Sequence, residues 1–146
     1  MSESAPLVYS DAKLRGILSS VKTIALVGAS ANETRPSHKV MTYLQGKGYR
    51  VIPVNPGLAG QTLLGETVAG SLAEIGLPVD MVDIFRASDA VPGIVDEAIA
   101  IKARVVWMQL DVRHDEAARR AGAAGIEVIM DRCPKIELER LSAAGA

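Results

Sequence analysis

Ile24-Ala25-Leu26-Val27-Gly28-Ala29-Ser30, followed by Arg35-Pro36-Ser37-His38-Lys39, decides the fold. A short apolar run ends in glycine, passes through small residues and resumes at a cationic, proline-led helix start. Strands buried on both faces read as uninterrupted apolar runs, and proline suits the first turn of a helix. A strand that turns into a helix in this way leaves backbone N–H groups projecting from the helix N-terminus. Those donors lack intrahelical partners and the helix dipole is positive there, so the segment is expected to cradle phosphate.

Outward from this segment the chain alternates strand-like and helix-like stretches. Ser10-Asp11 opens a helix with Leu14, Ile17, Leu18 and Val21 at helical spacing. Thr23–Val27 is the first strand. Ser37 is expected to cap a helix running to Lys47, with Val40, Met41 and Leu44 inward and Gly48 as its left-handed stop. Arg50–Val54 is the second strand, closed by the turn Asn55-Pro56-Gly57. Leu63-Leu64 reads as a short strand and Ser71–Ile75 as a short helix. Asp80–Phe85, Arg104–Met108 and Ile126–Met130 are the remaining strands. A helix starts at Ser88-Asp89, with Pro92 tolerable only near its start. Asp115–Ala121 and Lys135–Leu141 complete the helices. This pattern implies a single α/β domain over residues 9–141, a Rossmann-like doubly wound parallel sheet with helices on both faces. Met1–Val8 and Ser142–Ala146 are expected to be flexible termini. Ligands in such folds bind at the carboxyl ends of the strands.

The composition narrows the function. A chain of 146 residues suits one domain that buries roughly 70% of its unfolded surface. A net charge of −1 argues against a general nucleic-acid binder, which carries a basic excess. Met1 to Pro6 do not read as a signal peptide, and no apolar run approaches the ~20 residues that span a bilayer. The single cysteine, Cys133, excludes an internal disulfide and a CxxC site, so a reducing cytoplasm is the expected location. Two distant histidines and one cysteine offer no metal-ligand spacing. Neither a P-loop nor a nucleophile elbow is present.

The choice of nucleotide rests on departures from the dinucleotide fingerprint. Ser30 stands where the second glycine of G-x-G-x-x-G belongs, and no third glycine follows at the right spacing. Asn55 ends the second strand where NAD binders carry an acidic residue. Arg35, Lys39 and Arg86, with His38 alongside, gather cations at the expected ligand edge. They favour a ligand with more phosphate charge than a simple pyrophosphate, such as coenzyme A with its 3′-phosphate; NADP would also seek a cation there.

Val27-Gly28-Ala29-Ser30, Arg35-Pro36-Ser37, Gly48-Tyr49-Arg50-Val51-Ile52-Pro53-Val54-Asn55-Pro56, Val82-Asp83-Ile84-Phe85-Arg86, Val106-Trp107-Met108-Gln109-Leu110 and Met130-Asp131-Arg132-Cys133-Pro134-Lys135 occur in this order. Through them the chain, from about Tyr9 to Leu141, resembles the bacterial YccU-like CoA-binding proteins. More distantly it resembles the N-terminal CoA-binding domain of the succinyl-CoA synthetase α subunit. The resemblance implies a Rossmann-like domain that holds CoA at the strand ends. It implies a phosphate loop of Gly28, Ala29 and Ser30, with Arg35 and Ser37 nearby. Asn55 and Pro56 would line the adenosine side, Phe85 and Arg86 would close the next strand end, and the pantetheine arm would run toward Gln109 and Cys133. Asp111 departs from the family pattern, which has glycine there. Two readings of it stand: a carboxylate facing the phosphates, or one turned to solvent and capping the helix at Asp115.

The remaining polar residues read mostly as structural. His38 and His114 are expected to be surface residues, and Asp83 and Asp131 to bond backbone or neighbouring cations. Trp107 and Met108 are read as core. Cys133 has two readings, a buried small hydrophobe or a redox thiol forming a mixed disulfide with the CoA thiol. The function expected is a non-catalytic holder of CoA or an acyl-CoA, with no nucleic-acid or membrane partner. The alternatives are an acyl-CoA-utilising enzyme or ligase-like subunit needing a protein partner, and an NAD(P)-responsive regulatory module.

Overall fold

In the computed structural model, which describes residues 5–145, strands and helices alternate along the chain. They are α1 (Asp11–Ser20), β1 (Thr23–Val27), α2 (Pro36–Gly46) and β2 (Arg50–Val54), then the small hairpin β3 (Thr62–Leu63) and β4 (Glu66–Thr67). There follow β5 (Met81–Ile84), α3 (Val91–Ala100), β6 (Val105–Met108), α4 (Asp115–Ala123), β7 (Glu127–Ile129) and α5 (Pro134–Gly145). The main sheet has the order β2-β1-β5-β6-β7 and every pairing in it is parallel. The doubly wound architecture expected from the alternation is what the chain adopts. Strand order reverses at β1, which has β2 on one side and β5 on the other, so a crevice opens beyond their carboxyl ends.

Strand alternation divides the core into two layers. Ile24 and Leu26 of β1, Met81 of β5, and Val105 and Trp107 of β6 face one layer, where Leu14, Ile17 and Leu18 of α1 and Val40, Met41 and Leu44 of α2 cover them. Ala25, Val27, Val82, Ile84, Val106 and Met108 face the other, under Ile94, Val95 and Ala98 of α3 and Ala117 and Ala121 of α4. Trp107 is fully buried, and its indole N–H donates to the Arg132 carbonyl at 2.9 Å. Trp107 and Met108 are therefore core residues, as read from the sequence.

The helix ends follow local chemistry with one correction. Ser10 caps α1 by accepting from the Lys13 amide, and Gly48 adopts φ +96° just past α2. Ser37 does not cap α2. Proline occupies the first helical position, so the cap falls on Arg35, which supplies no side-chain bond, and Ser37 is drawn inside the first turn, 5% exposed. His114 is not a bystander: its Nδ1 accepts from the Ala117 amide and caps α4, the position offered to Asp111 in one of its readings. The short strand at Leu63-Leu64 is displaced by one residue to Thr62–Leu63. It pairs with β4, which alternation did not signal, across a turn in which Leu64 and Gly65 both have positive φ. At the termini, α5 continues through residues 142–145, and Arg113 and Arg132 donate to the carbonyls of Ala5 and Leu7. Residues 1–4 and 146 lie outside the described residues.

Asp83 departs from expectation most sharply. It sits in β5 between Leu26 and Trp107, 0% exposed, and neither carboxylate oxygen has a hydrogen-bond partner among the described residues. Burial alone drives its pKa well above the ordinary carboxylate value. A raised folded pKa means that the native state holds this proton more tightly than the unfolded chain does. The stability it contributes is complete below the unfolded pKa and is lost as pH rises through the folded one. Asp83→Asn keeps the shape without the ionisation. In chemical denaturation, the variant is expected to gain on wild type as pH rises above the usual carboxylate range, by up to about 1.4 kcal/mol per pH unit. A difference between the two proteins that stays constant with pH would refute this role.

Candidate functional site

Gly28 organises the crevice. It follows β1 with φ +96°, and a Cβ on it would lie 2.4 Å from the Phe85 carbonyl oxygen just beyond β5. The two strand ends therefore approach too closely for any side chain at position 28. A Gly28→Val change would strike protein backbone before it met any ligand, so it probes the fold rather than the cleft. The amides of Gly28 and Ala29 both donate to the Val54 carbonyl, at 3.0 and 3.2 Å. This corrects the expected phosphate cradle, because those two donors are already committed to joining β1 to β2.

The available donors lie one step further along. Among the described residues, the amides of Ser30, Ala31 and Ser37 make no hydrogen bond. Ser37, following Pro36, supplies the first amide N–H of α2, in the first turn where intrahelical acceptors are absent. The intervening loop holds itself in shape. The Asn32 amide donates to Ser30 Oγ, and Asn32 Oδ1 accepts from the Thr34 amide and hydroxyl. Asn55 braces the loop from β2, its Nδ2 donating to the Ala29 carbonyl and its Oδ1 accepting from the Gly57 amide, both at 2.8 Å. Its carboxamide is thus committed to architecture on both sides.

These residues enclose a cavity of about 610 Å³ walled by Gly28, Ala29, Ser30, Arg35, Ser37, Asn55, Phe85 and Arg86, all expected from the sequence. Ala31, Asn32, Pro36, Gly57 and Leu58 complete the wall. Pro56 is exposed and absent from it, because the Asn55–Gly57 bond turns the chain so that the following two residues face inward. A polar turn after β2 signalled that place but not which of its residues would face the cavity.

A second cavity of similar size, about 610 Å³, adjoins the first, and Pro36, Phe85 and Arg86 line both. Lys39, Gln109 and Cys133 lie here rather than at the loop, along with Val40, Leu110, Val112, Lys135 and Ile136. Gln109 is 6% exposed, and its Oε1 has no partner among the described residues. Asp111 also lines this groove, at φ +66°, which explains why glycine suits the position. Its amide donates to Asp131 Oδ1 at 2.7 Å, so Asp131 bonds backbone as expected. Neither His38 nor His114 reaches either cavity wall.

The charges are distributed unevenly. Eight ion pairs between side chains occur among the described residues, and none involves Arg35, Lys39 or Arg86. Three cations without carboxylate partners therefore border the two adjoining cavities, beside three amides without acceptors. Such an arrangement is chemically suited to a polyanionic ligand whose phosphates accept from backbone and guanidinium donors. Among the described residues, no group of three or more His, Cys, Asp or Glu could hold a metal ion. Among the described residues, no helix is long and apolar enough to cross a membrane.

Known proteins share this framework. The chain is 39% identical over 127 residues to the uncharacterised protein YneT of Bacillus subtilis, covering 87% of this chain and 93% of that one. A Thermus thermophilus protein, cell-free ID.343, superposes with a TM-score of 0.87 at 42% identity, over 91% of this chain and 99% of its own. A hypothetical protein of Pyrococcus horikoshii OT3 superposes at 0.89 with 37% identity, over 97% and 99% of the two chains. A dinucleotide-forming acetyl-coenzyme A synthetase of Ca. Korarchaeum cryptofilum shares the fold at a TM-score of 0.63 and 24% identity, over 73% of this chain and 25% of that one. Residues 22–139 match the family model described as CoA binding domain, and the chain belongs to that family.

Proposed function

We propose that this protein holds coenzyme A, or an acyl-CoA, in the cleft beyond β1, β2 and β5 without transforming it. The observation that carries this reading is the coincidence of amides and cations lacking protein partners at one switch point, in a chain of the CoA binding domain family. Ser30, Ala31 and Ser37 would donate to the diphosphate. Arg35 and Arg86 would balance its charge, with Gly57 and Leu58 against the adenosine portion. The groove beyond Phe85 offers apolar walls and the buried acceptor Gln109 Oε1. A pantetheine arm carries amide N–H donors on a largely apolar chain, so its chemistry complements both features.

Holding rather than turnover is favoured by what lines the cleft. Serine and cysteine side chains are present, but both histidines stand outside its walls, so no nucleophile there has an imidazole base beside it. The lone cysteine fits a reducing cytoplasm, the location we infer.

Calorimetry against CoA, acetyl-CoA, dephospho-CoA, NAD and NADP tests the ligand class. CoA and acetyl-CoA are expected to bind more tightly than the others, with dephospho-CoA weakened by loss of its 3′-phosphate. Equal or tighter binding of NAD or NADP would reject the assignment. Arg35→Ala and Arg86→Ala are each expected to weaken CoA binding about tenfold, the loss of one charge-assisted phosphate contact. Unchanged affinity in both folded variants would remove these side chains from the site.

A further inference from the structure

We infer that Cys133 is a thiol–disulfide exchange site for the bound cofactor, so that the cleft can capture CoA covalently when the surrounding thiol pool is oxidised; this rests on the CoA reading above. Cys133 is the chain's single cysteine and is free. It is 5% exposed and packs with the core layer under α1 and α2, which satisfies its structural reading. It also lines the groove that continues from the phosphate cleft. A buried hydrophobe and a groove-facing thiol are thus the same residue.

Two features direct a pantetheine thiol toward it. The groove and the phosphate cleft share Pro36, Phe85 and Arg86, so the groove gives a ligand anchored by its diphosphate an adjoining surface that includes Cys133. Gln109 lines the same groove, and its enclosed Oε1 lacks any donor within the described residues. A buried acceptor left bare is costly unless a ligand supplies a donor, and pantetheine supplies amide N–H groups along the arm that ends in the thiol. Lys39 and Arg86, which have no ion-pair partner among the described residues, and Lys135, paired with Glu139, line the groove with the carboxylate Asp111, and the two unpaired cations favour the more heavily charged CoA disulfide.

The step is an exchange with CoA disulfide. The Cys133 thiol gives its proton to solvent, and the thiolate attacks one sulfur of the CoA–CoA disulfide. A Cys133–CoA disulfide forms, the original S–S bond breaks, and the second CoA leaves as a thiolate that takes up a proton. Cys133 is oxidised and one CoA is reduced. A dithiol reductant reverses the reaction.

The test follows adduct formation on the reduced full chain by intact mass and peptide mapping, with CoA disulfide and glutathione disulfide in parallel. CoA disulfide is expected to modify Cys133 about tenfold faster than glutathione disulfide, because the cleft presents the reacting sulfur to it. Dithiothreitol should release the CoA, Cys133→Ser should give no adduct, and the Arg35→Ala/Arg86→Ala protein should lose most of the preference. A protein that binds reduced CoA by calorimetry, yet forms no adduct or reacts equally with both disulfides, overturns the exchange role and leaves the CoA assignment standing. A protein that binds no reduced CoA removes both.

Discussion

The approach of Gly28 to Phe85 is the constraint on which the site depends. β1 and β5 are neighbours in the sheet, and beyond their ends the main chains come so close that position 28 has no room for a Cβ. With β1 pinned to β5 on that side, the amides of Gly28 and Ala29 turn the other way and bond the end of β2. Two strands are thus tied to a third at the point where strand order reverses. The chain then leaves the sheet with its next amides uncommitted, and Pro36 starts α2 without consuming a donor. That the amides of Ser30 and Ala31 are left bare is a consequence of how the backbone is fastened behind them.

The division of labour among polar residues follows from that fastening. Asn55 looks like a ligand residue in the sequence, but both ends of its carboxamide serve the loop and the turn. Asn32 and Ser30 likewise order the loop between β1 and α2. Among the described residues that line the cleft, Arg35, Lys39 and Arg86 have no ion-pair partner and Gln109 Oε1 has no hydrogen-bond partner. Hydrogen-bond accounting therefore separates residues that build the site from residues free to meet a ligand, a distinction residue type alone does not make.

Much of the architecture was legible in the sequence. The apolar runs at Thr23–Val27 and Arg50–Val54 match β1 and β2 because strands buried on both faces need continuous apolar side chains. Gly48 and Ser10 marked helix ends through backbone freedom and a short side-chain acceptor. The hairpin at β3 and β4 was only half visible, since two-residue strands have no period to detect. The cap of α2 was misplaced because Pro36 competes with Ser37 for the same helix start. Most cleft residues were visible as a class, small residues and cations at strand ends, but the identity of the free donors depends on a bond between Gly28 and Val54 that only tertiary structure supplies. Asp83 was read as bonded because burial without a partner is the costlier state for a carboxylate, and nothing in its neighbours signals that the protein accepts it.

On this reading the uncommitted amides beyond β1 grip a diphosphate. A crystal structure of the protein grown with CoA tests it most directly. Diphosphate oxygens are expected within hydrogen-bond distance of the Ser30, Ala31 and Ser37 amides, with the pantetheine arm passing Phe85 toward Gln109. CoA seated elsewhere on the molecule, with those amides still bare, would contradict it.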